Sequence, residues 1–486
     1  MTVLAIDQGT SGTKAIVADP VDGVVGLAEV PVNPVYLSGG GVEQDPGELL
    51  ASVLEAGRRA MEQAGRPVEA VALANQGETV LAWDPATGRP LTQAIVWQDR
   101  RAEGLCAELA EHADWIARRT GLVLDPYFTA PKMAWLRRNL TTEGVVTTTD
   151  TWLVHHLTGE FVTDASTASR SLLMDLDAAD WDPELARLFG LGDERLPRIA
   201  ACDEVVGTTR AFGPEIPVAG LVVDQQAALL AEGCLTPGTA KCTFGTGAFL
   251  LANTGGTALR SPSGLTSSVA WRVRGDTPYC VDGQVYTAAS AVRWIRDLGF
   301  IGSAADLDTV AAPDSGGVLC VPALAGLAAP WWRSDATAAF TGMTLSTGRE
   351  HLVLAVLQGI AAQVAELGGL VAADLGAPLT ALRVDGGLTR SRTLMQATAD
   401  LMQTPIEVYP SPHATALGAA ALARLAVRPE LAIEQAVFDW TPSTGYEPRW
   451  TAERAAEFRS RWRDAVSLGL PRETPARPAP NSGGSA

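Results

Sequence analysis

Residues 3–17 read Val3-Leu4-Ala5-Ile6-Asp7-Gln8-Gly9-Thr10-Ser11-Gly12-Thr13-Lys14-Ala15-Ile16-Val17. Two apolar, β-rich runs flank a short polar turn, and this pattern predicts a strand, a tight turn and a second strand. Glycines in such a turn let backbone N–H groups approach a phosphate, the hydroxyls add donors and the lysine adds a cation. The carboxylate of Asp7, at the end of the first strand, is suited to hold Mg²⁺ through water. An ordinary hairpin is the alternative, because turns of this composition are common.

The composition of the whole chain narrows the class of protein. A length of 486 residues is too great for one hydrophobic core, so we expect two large domains. The formal net charge of −18 argues against nucleic acid and anionic membranes as partners. The chain has neither a signal peptide nor an uncharged run long enough to span a membrane, so we expect a cytoplasmic protein. Six cysteines without a CxxC pattern indicate buried thiols rather than disulfides or zinc ligands.

Polar side chains follow several predicted strands of the first half. Asp45 and Pro46 are typical of a helix start, and strands and helices alternate from there onward. Open α/β sheets bind ligands at strand ends, and this sequence places a tryptophan among polar residues at such ends. These residues are Gln76, Glu78, Trp97, Gln98 and Asp99. The alternative is that they are solvated loop residues.

A carboxylate also ends the apolar strand predicted for residues 216–223. Asp224 follows that strand and precedes a helical segment, so it is well placed to act on a ligand in a cleft. The alternative is a plain helix N-cap.

The second half of the chain contains an echo of the opening stretch. Residues 238–253 again predict a strand, a Gly-Thr-Gly turn at Gly245-Thr246-Gly247 and a returning strand. Two such hairpins suggest two related halves that clamp a polyphosphate between them, although so short an echo also arises by chance. Later, Asp385-Gly386-Gly387 ends another strand, and its glycines would let a flat ring or a ribose lie against the backbone. A plain strand-to-helix turn is equally compatible with those glycines.

Taken in order, these motifs resemble those of the FGGY carbohydrate kinases and, within that family, the glycerol kinases. The resemblance covers roughly residues 1–430 and implies an α/β, two-domain, actin/hexokinase-like (ribonuclease H-like) fold with a central cleft. It implies a substrate-side domain over residues 1–233 and a nucleotide-side domain over residues 234–470. The Pro-, Gly- and Ser-rich residues 471–486 predict a disordered tail. The motifs are Asp7-Gln8-Gly9-Thr10, Val42-Glu43-Gln44-Asp45-Pro46, Asn75-Gln76-Gly77-Glu78-Thr79, Ala94-Ile95-Val96-Trp97-Gln98, Asp125-Pro126-Tyr127-Phe128, Asp224-Gln225-Gln226, Gly245-Thr246-Gly247, Asp385-Gly386-Gly387 and Thr415-Ala416-Leu417-Gly418.

The same resemblance implies transfer of the ATP γ-phosphate to a terminal hydroxyl of a small polyol or sugar. It assigns the general base to Asp224 and the placement of Mg²⁺ to Asp7. The residues it implies for the nucleotide are Thr10, Ser11, Gly12, Lys14, Thr246, Ala289, Gly387 and Ser391. The residues it implies for the polyol are Gly77, Glu78, Trp97, Tyr127, Asp224, Gln225 and Phe249.

The chain departs from the family pattern at several positions, of which Gly77 bears on the polyol and Ala289 and Ser391 on the nucleotide. Gly77 stands where glycerol kinases have an arginine, Ala289 replaces a glycine and Ser391 replaces an asparagine. Losing a guanidinium removes hydrogen-bond donors and predicts a larger, less polar pocket beside Glu78. A four- or five-carbon polyol or a ketose is therefore the alternative substrate, unless Arg100 or Arg333 fills the gap.

Two non-enzymatic alternatives belong to other functional classes. One is a catalytically silent regulator that binds a sugar or a nucleotide, and the other is a chaperone or filament protein with the same fold. The intact carboxylates Asp7, Glu78 and Asp224 favour an enzyme. The expected partner is a small polyol or sugar, and a homo-oligomer is compatible with the sequence.

Overall fold

The computed structural model describes residues 1–470, so the predicted tail at 471–486 lies outside the described residues. The strands of its first half are β1 (Val3–Gln8), β2 (Gly12–Asp19), β3 (Gly23–Pro31), β4 (Val35–Tyr36), β5 (Val42–Gln44), β6 (Ala70–Asn75), β7 (Val80–Trp83), β8 (Ala94–Ile95), β9 (Val145–Thr148), β10 (Val162–Asp164), β11 (Met174–Asp175), β12 (Asp180–Trp181), β13 (Arg198–Ala200), β14 (Gly207–Thr209) and β15 (Ile216–Val223). The helices there are α1 (Pro46–Ala64), α2 (Glu103–Glu108), α3 (Ala113–Thr120), α4 (Thr129–Asn139), α5 (Thr149–Thr158), α6 (Ala165–Ser169), α7 (Pro183–Leu188) and α8 (Asp224–Ala231).

The second half contains the remaining elements. Its strands are β16 (Ala240–Phe244), β17 (Ala248–Gly255), β18 (Thr266–Val269), β19 (Tyr279–Val285), β20 (Leu319–Val321), β21 (Ala339–Thr341), β22 (Leu382–Asp385), β23 (Ile406–Val408) and β24 (Thr444–Tyr446). Its helices are α9 (Ala289–Asp297), α10 (Leu307–Val310), α11 (Arg349–Leu375), α12 (Arg392–Met402), α13 (Ala414–Val427), α14 (Ile433–Ala436) and α15 (Ala452–Gly469).

The two large sheets have corresponding topologies. The first has the strand order β14-β15-β6-β1-β2-β3, and the second has the order β24-β23-β22-β16-β17-β19-β18. In each sheet the hairpin is antiparallel, and its first strand pairs in parallel with a later strand, β6 in one and β22 in the other. The next strands, β15 and β23, are also parallel to β6 and β22 respectively, and each pairs on its other side with an antiparallel strand. This correspondence confirms the prediction of two related halves.

Local sequence signals account for the boundaries of several elements. The side chain of Asp45 accepts hydrogen bonds from the backbone N–H groups of Gly47 and Glu48, and Pro46 occupies the first turn of α1. At the other end of that helix, Gly65 adopts a left-handed conformation and caps the last turn. The predicted strand at 216–223 and the helix that follows it are both present, so Asp224 lies at the junction.

Helix α13 belongs to the second half of the chain but packs against the sheet of the first half. It therefore forms a contact between the two halves. Buried residues of α13 share one core with buried residues of β1, β6 and β15. The contact is close, since a Cβ on Gly418 would lie 1.9 Å from the carbonyl oxygen of Ala227 in α8. Gly220 of β15, with φ +70°, similarly lets the strand approach Ala419. Small residues at this contact therefore set the spacing of helix and sheet.

The long apolar helix α11 lies in the core of the second half. By length and composition it is the single helix within residues 1–470 that meets the requirements of a membrane span. Its most apolar window is 83% buried within the protein. Burial on nearly all sides accounts for its composition.

Candidate active site

A cavity of about 300 Å³ lies where the turns of the two hairpins meet the ends of the first-half strands. Side chains of both halves line it, so neither half forms the site alone. Of the residues predicted from the sequence, the cavity brings together Thr10, Ser11, Gly77, Glu78, Trp97, Tyr127, Asp224, Gln225, Thr246 and Phe249. Within the described residues its lining also includes Tyr36, Gln98, Thr243, Gly245 and Arg293.

Asp224 is the first residue of α8, immediately after β15. Its carboxylate accepts a hydrogen bond of 2.6 Å from the backbone N–H of Gln225, and the helix N-cap is Val223 instead. The N-cap alternative for Asp224 is therefore wrong. Burial raises the pKa of Asp224 to about 7, with further contributions from the charges of Asp7 and Glu78 and an opposing one from Lys241. A carboxyl group with a pKa near neutrality matches the requirement for a general base.

Hydrogen bonds hold the turn of the first hairpin against Gln76, Trp97 and Gln44 of the first half. The Thr10 hydroxyl donates to Oε1 of Gln76 (2.9 Å) and accepts from the indole N–H of Trp97 (2.8 Å). Its carbonyl oxygen accepts from Gln44, and Ser11 beside it is exposed. The Thr10 hydroxyl is thus committed to positioning, and the Ser11 hydroxyl and backbone N–H groups of the turn are the remaining donors for an anion.

Gly12 and Lys14 lie outside the cavity. A Cβ on Gly12 would meet the carbonyl oxygen of Val30 at 3.0 Å, so a close approach of β3 explains this glycine. The Lys14 ammonium pairs with Glu29 (3.3 Å) and donates to the carbonyl of Pro412 (3.3 Å). The phosphate roles of these two residues stay predictions.

The turn of the second hairpin presents Thr246 to the cavity. The carbonyl of Thr246 accepts hydrogen bonds from the backbone N–H groups of Ala288 and Ser290, while Ala289 donates to the carbonyl of Gly245. The start of α9 is therefore fastened to this turn. The Thr246 side chain is exposed in the cavity, where its hydroxyl is available to a ligand.

Two carboxylates face each other near the hairpins, one from each half. Burial raises the pKa of Asp7 to about 6; Lys14 lowers it and the charge of Asp385 raises it. Oδ1 of Asp385 is buried and has no hydrogen-bond partner among the described residues. Within residues 1–470 no cluster of three acidic, histidine or cysteine side chains forms a metal cage. Two carboxylates with an unsatisfied oxygen suit a Mg²⁺ ion that arrives with its phosphates and keeps several waters.

The predicted nucleoside residues differ in their surroundings. Gly386 has φ +95°, and a Cβ there would lie 2.4 Å from the carbonyl oxygen of Phe244, so this position requires glycine. Gly387 faces open space. Ser391 is buried, and its hydroxyl donates to Asp308 (3.0 Å) and accepts from the N–H of Leu394 as the cap of α12. A structural role explains Ser391, and its contact with a nucleoside stays a prediction.

A buried arginine that the sequence did not indicate lies beside Glu78. Nε of Arg170 donates to Glu78 (2.6 Å), Nη1 to Asp282 (2.8 Å) and Nη2 to the hydroxyl of Tyr127 (3.4 Å). Asp282 belongs to the second half, so the guanidinium joins the two halves at the polyol side. The guanidinium adds a charged group beside Glu78 that the sequence analysis did not include, and the less polar pocket expected there stays a prediction. Glu78 itself has φ +61°, an unusual conformation for a non-glycine residue that is common at functional sites.

On one side, the space at Gly77 is bounded by Val223. A Cβ at this position would lie 2.9 Å from Cγ2 of Val223. Within the described residues, neither Arg100 nor Arg333 is among those that line the active-site cavity. Arg100 pairs with Asp125 and Glu103, and Arg333 pairs with Asp335.

Aromatic rings close the polyol side of the cavity. The ring of Trp97 packs edge-on against Tyr127 (5.6 Å between centroids) and against Phe249 (6.1 Å). Lys132, which is fully buried, donates to the carbonyls of Pro126, Tyr127 and Phe128 and thereby holds the loop that carries Tyr127.

A second buried lysine, Lys241, lies beside Gln225 and near Asp224. Nζ of Lys241 donates to Oε1 of Gln225 (2.6 Å) and to Oγ1 of Thr243 (2.7 Å). It is the cation that lowers the pKa of Asp224 against burial. Sequence reasoning missed Lys241, Arg170 and Arg293, although the lysine lies inside the second hairpin motif. Arg170 lies 92 residues from Glu78, and no local pattern signals that pairing.

Comparisons with known proteins agree with this geometry. Residues 2–231 match the N-terminal domain of the FGGY family of carbohydrate kinases, and residues 240–427 match the C-terminal domain. The chain is 42% identical to glycerol kinase of Bordetella parapertussis, with 98% of each chain covered. It is 43% identical to that of Alkalilimnicola ehrlichii, with 96% of this chain and 97% of the relative covered. Plasmodium falciparum glycerol kinase with ADP has a similar structure, with a TM-score of 0.88 and 32% identity over 97% of this chain and 98% of that one.

Proposed function

The chain belongs to the FGGY family of carbohydrate kinases, and we propose that it transfers the γ-phosphate of ATP to a terminal hydroxyl of a small polyol, with Asp224 as the general base. It is a glycerol kinase-like phosphotransferase with two α/β domains. The observation that carries the proposed mechanism is the place of Asp224, at a strand end between both hairpin turns and with a pKa raised to about 7.

The reaction needs a proton acceptor beside the attacking hydroxyl. The polyol oxygen forms a bond to the γ-phosphorus as the bond from that phosphorus to the bridging oxygen breaks, which leaves ADP. The hydroxyl proton passes to the Asp224 carboxylate. Gln225, held by Lys241, fixes the backbone N–H that bonds this carboxylate.

Polyol binding combines carboxylates with aromatic faces. Glu78, oriented by Arg170, accepts hydrogen bonds from hydroxyls that are not phosphorylated. Trp97 and Phe249 cover the carbon chain and exclude water from the reacting centre.

The hairpin turns bind the phosphates. Thr10, Ser11, Thr246 and Arg293 line the cavity, so backbone N–H groups of the first turn, the Thr246 hydroxyl and the Arg293 guanidinium are the donors proposed for the phosphates. Magnesium bound with the nucleotide supplies charge neutralisation, and Asp7 and Asp385 would hold it through water. Contacts of Gly12, Lys14 and Ala289 with the nucleotide, the domain limits at 233 and 470, a cytoplasmic location and a homo-oligomeric state stay predictions.

The test is Asp224→Asn, because an amide has the size of the carboxylate but cannot accept the proton. We expect kcat with a polyol to fall ~10²–10⁴-fold, while the Kd for ADP measured by calorimetry stays within about twofold. Asp276→Asn, at an exposed aspartate, is the matched control. An Asp224→Asn enzyme with near-normal kcat would refute the assignment of the base.

A further inference from the structure

An aspartate of the second half, Asp282, lies next to the polyol side but is not among the described residues that line the active-site cavity. Its Oδ1 accepts a hydrogen bond from Nη1 of Arg170 (2.8 Å), and its Oδ2 accepts one from Nε2 of Gln284 (2.8 Å). Both carboxylate oxygens are therefore engaged by groups of the protein. The mechanism described above gives Asp282 no role.

The space between Asp282 and the polyol residues is too small for a substrate. A cavity of about 20 Å³ has Asp282, Arg170, Glu78 and Asp224 among its lining residues. This volume admits one water molecule but not the carbon chain of a polyol. Any effect of Asp282 on polyol binding must therefore pass through a neighbouring side chain.

The sheet of the second half fixes the position of Asp282. This residue is 3% exposed and lies in the middle of β19, where it is opposite Leu251 of β17 and Thr266 of β18. At the end of the same strand, the carbonyl oxygen of Val285 would lie 2.4 Å from a Cβ on Gly247, so β19 directly contacts the second hairpin turn. A strand paired on both sides and held against a turn is a rigid support for a carboxylate.

Arg170 connects this support to the polyol side. It lies at the C-terminal end of α6 in the first half, and its side chain is 6% exposed. Its Nε donates to Glu78 (2.6 Å) while its Nη1 donates to Asp282. A guanidinium is planar with N–H groups in fixed directions, so two carboxylates on different nitrogens define its orientation. The bond to the hydroxyl of Tyr127 is longer, at 3.4 Å, and contributes less.

Glu78 depends on this arrangement for the direction of its carboxylate. Arg170 bonds Oε1 of Glu78, and within the described residues Oε2 has no hydrogen-bond partner, which leaves it for a substrate hydroxyl. A single hydrogen bond therefore orients the group that would bind the polyol. If the guanidinium could rotate, the carboxylate would rotate with it, and the polyol would have to order both groups on binding.

We infer that Asp282 is a positioning residue for polyol binding, which acts from the second half through Arg170 to hold the Glu78 carboxylate. This inference rests on the proposed kinase function and deepens it, because it assigns part of the polyol side to the second half. Loss of the Asp282 carboxylate should weaken polyol binding. The transfer step and nucleotide binding should change little, because Asp282 is hydrogen-bonded neither to Asp224 nor to Thr246.

The test is a double-mutant cycle with Asp282→Asn and Arg170→Lys. An asparagine keeps the size of the side chain and removes the charge, whereas a lysine keeps the charge but cannot hold two carboxylates in one fixed geometry. Asp177→Asn is the matched control, because Asp177 forms an exposed ion pair with Arg260 across the two halves. The measurements are kcat and KM for whichever of glycerol, erythritol and xylitol the wild type phosphorylates best, and the Kd for ADP by calorimetry.

We expect Asp282→Asn to raise the KM for the polyol about tenfold, as for one lost hydrogen bond to a charged group. The kcat should stay within about threefold and the Kd for ADP within about twofold, and Asp177→Asn should change neither. In the Arg170→Lys background, Asp282→Asn should raise KM less than about twofold, because its effect passes through Arg170. An unchanged KM in Asp282→Asn, or equal effects in the two backgrounds, would overturn the inference.

Gln284→Met provides a second test if Asp282→Asn does not fold. It removes only the neutral hydrogen bond to Asp282 and retains every charge. The KM for the polyol should rise about threefold with kcat unchanged, and an unchanged KM would count against the positioning role. A wild-type enzyme that phosphorylates none of the three polyols would instead contradict the proposed function, so the two failures are distinguishable.

Discussion

The two glycine-rich hairpins occupy the same place in sheets of the same topology, but they divide the charges of the active site differently. In the first, the acid lies on the hairpin strand as Asp7, directly opposite Lys14. In the second, Thr243 takes the corresponding place, and the acid lies on the neighbouring strand as Asp385. Each half thus contributes one carboxylate to the cleft from a different strand.

The lysines differ more than the acids. The side chain of Lys14 is 25% exposed and pairs with the exposed Glu29, so water screens its charge. Lys241 is fully buried, and its ammonium donates to Gln225, the neighbour of the proposed base Asp224, and to Thr243. The first hairpin therefore supplies a turn held by hydrogen bonds. The second hairpin also carries Lys241, whose charge lowers the pKa of the proposed base Asp224.

The largest expected effect comes from removing the buried lysine. Lys241→Met should lower kcat/KM at pH 7 by about a hundredfold and move the acidic limb of the pH profile upward, because an opposite charge near an aspartate lowers its pKa by ~1–3 units. Lys14→Met is the control at the other hairpin, and Lys241→Arg should restore part of the pH profile. The measurement is the pH profile of kcat/KM for the wild type, Lys241→Met, Lys241→Arg and Lys14→Met. An unmoved limb in Lys241→Met would show that Lys241 acts only through packing.

The two turns should also differ toward the nucleotide. Thr246→Val should raise the Kd for ADP by more than about tenfold, because it removes a hydrogen bond to a charged group worth ~1.5–3 kcal/mol. Lys14→Ala should raise it less, since Lys14 already has partners outside the cavity. Both should leave the Kd for the polyol within about twofold, as calorimetry with each ligand would measure. Equal losses for both ligands would contradict a phosphate role for this turn.

The wild-type pH profile tests the pKa of Asp224, to which charged groups of both halves contribute. Asp224 accepts a proton only when ionised, and its pKa is raised to about 7. The polyol kcat/KM should therefore rise close to tenfold between pH 6 and a plateau near pH 8. Steady-state rates at saturating ATP would measure this limb. A flat profile from pH 5.5 to 8 would exclude a base with this pKa.

The smallest effect concerns Glu232, a buried carboxyl group at the end of α8 whose charged neighbours Lys241 and Asp385 belong to the second half. Both carboxylate oxygens of Glu232 are buried without partners in the described chain, and burial raises its pKa well above the usual range. The folded protein therefore holds this proton more tightly than the unfolded chain, so stability falls as pH rises above about 4.3. Glu232→Gln should raise the Tm by a few degrees at pH 8 and leave it unchanged near pH 4.

Thermal unfolding at both pH values, with the exposed Glu430→Gln as control, checks this. A Glu232→Gln protein that is less stable at pH 8 would indicate that the carboxylate is ionised and paired in the folded state.

Much of the fold was predictable because its signals are local. The turn glycines, the Asp45 cap and the apolar run before Asp224 each act over a few residues, and all three elements are present. The correspondence of the two sheets was visible only as a repeated turn. Its confirmation needed the pairing of β1 with β6 and of β16 with β22, which lie far apart in the chain.

The candidate site was predictable in its residue types but not in its partners. Ten of the predicted residues line one cavity, yet the buried Arg170 and Lys241 were missed. The prediction about the pocket beside Glu78 likewise did not include Arg170, which is ion-paired there. The glycine at position 77 gives no information about Arg170, which lies at the C-terminal end of α6 and far from position 77 in the sequence.

By itself, the sequence determined the hairpins, the helix caps and the carboxylate at the end of β15, because turn chemistry and hydrophobic periodicity act between near neighbours. Only the tertiary structure decided which charges meet. Arg170 reaches Asp282 across 112 residues, and this contact exists only when both halves are folded together. The same holds for the pKa of Asp224, which depends on burial and on charges from three separate segments, those of Asp7, Glu78 and Lys241. Electrostatic energy follows distance and desolvation, and neither quantity is defined until the chain has closed around the cleft.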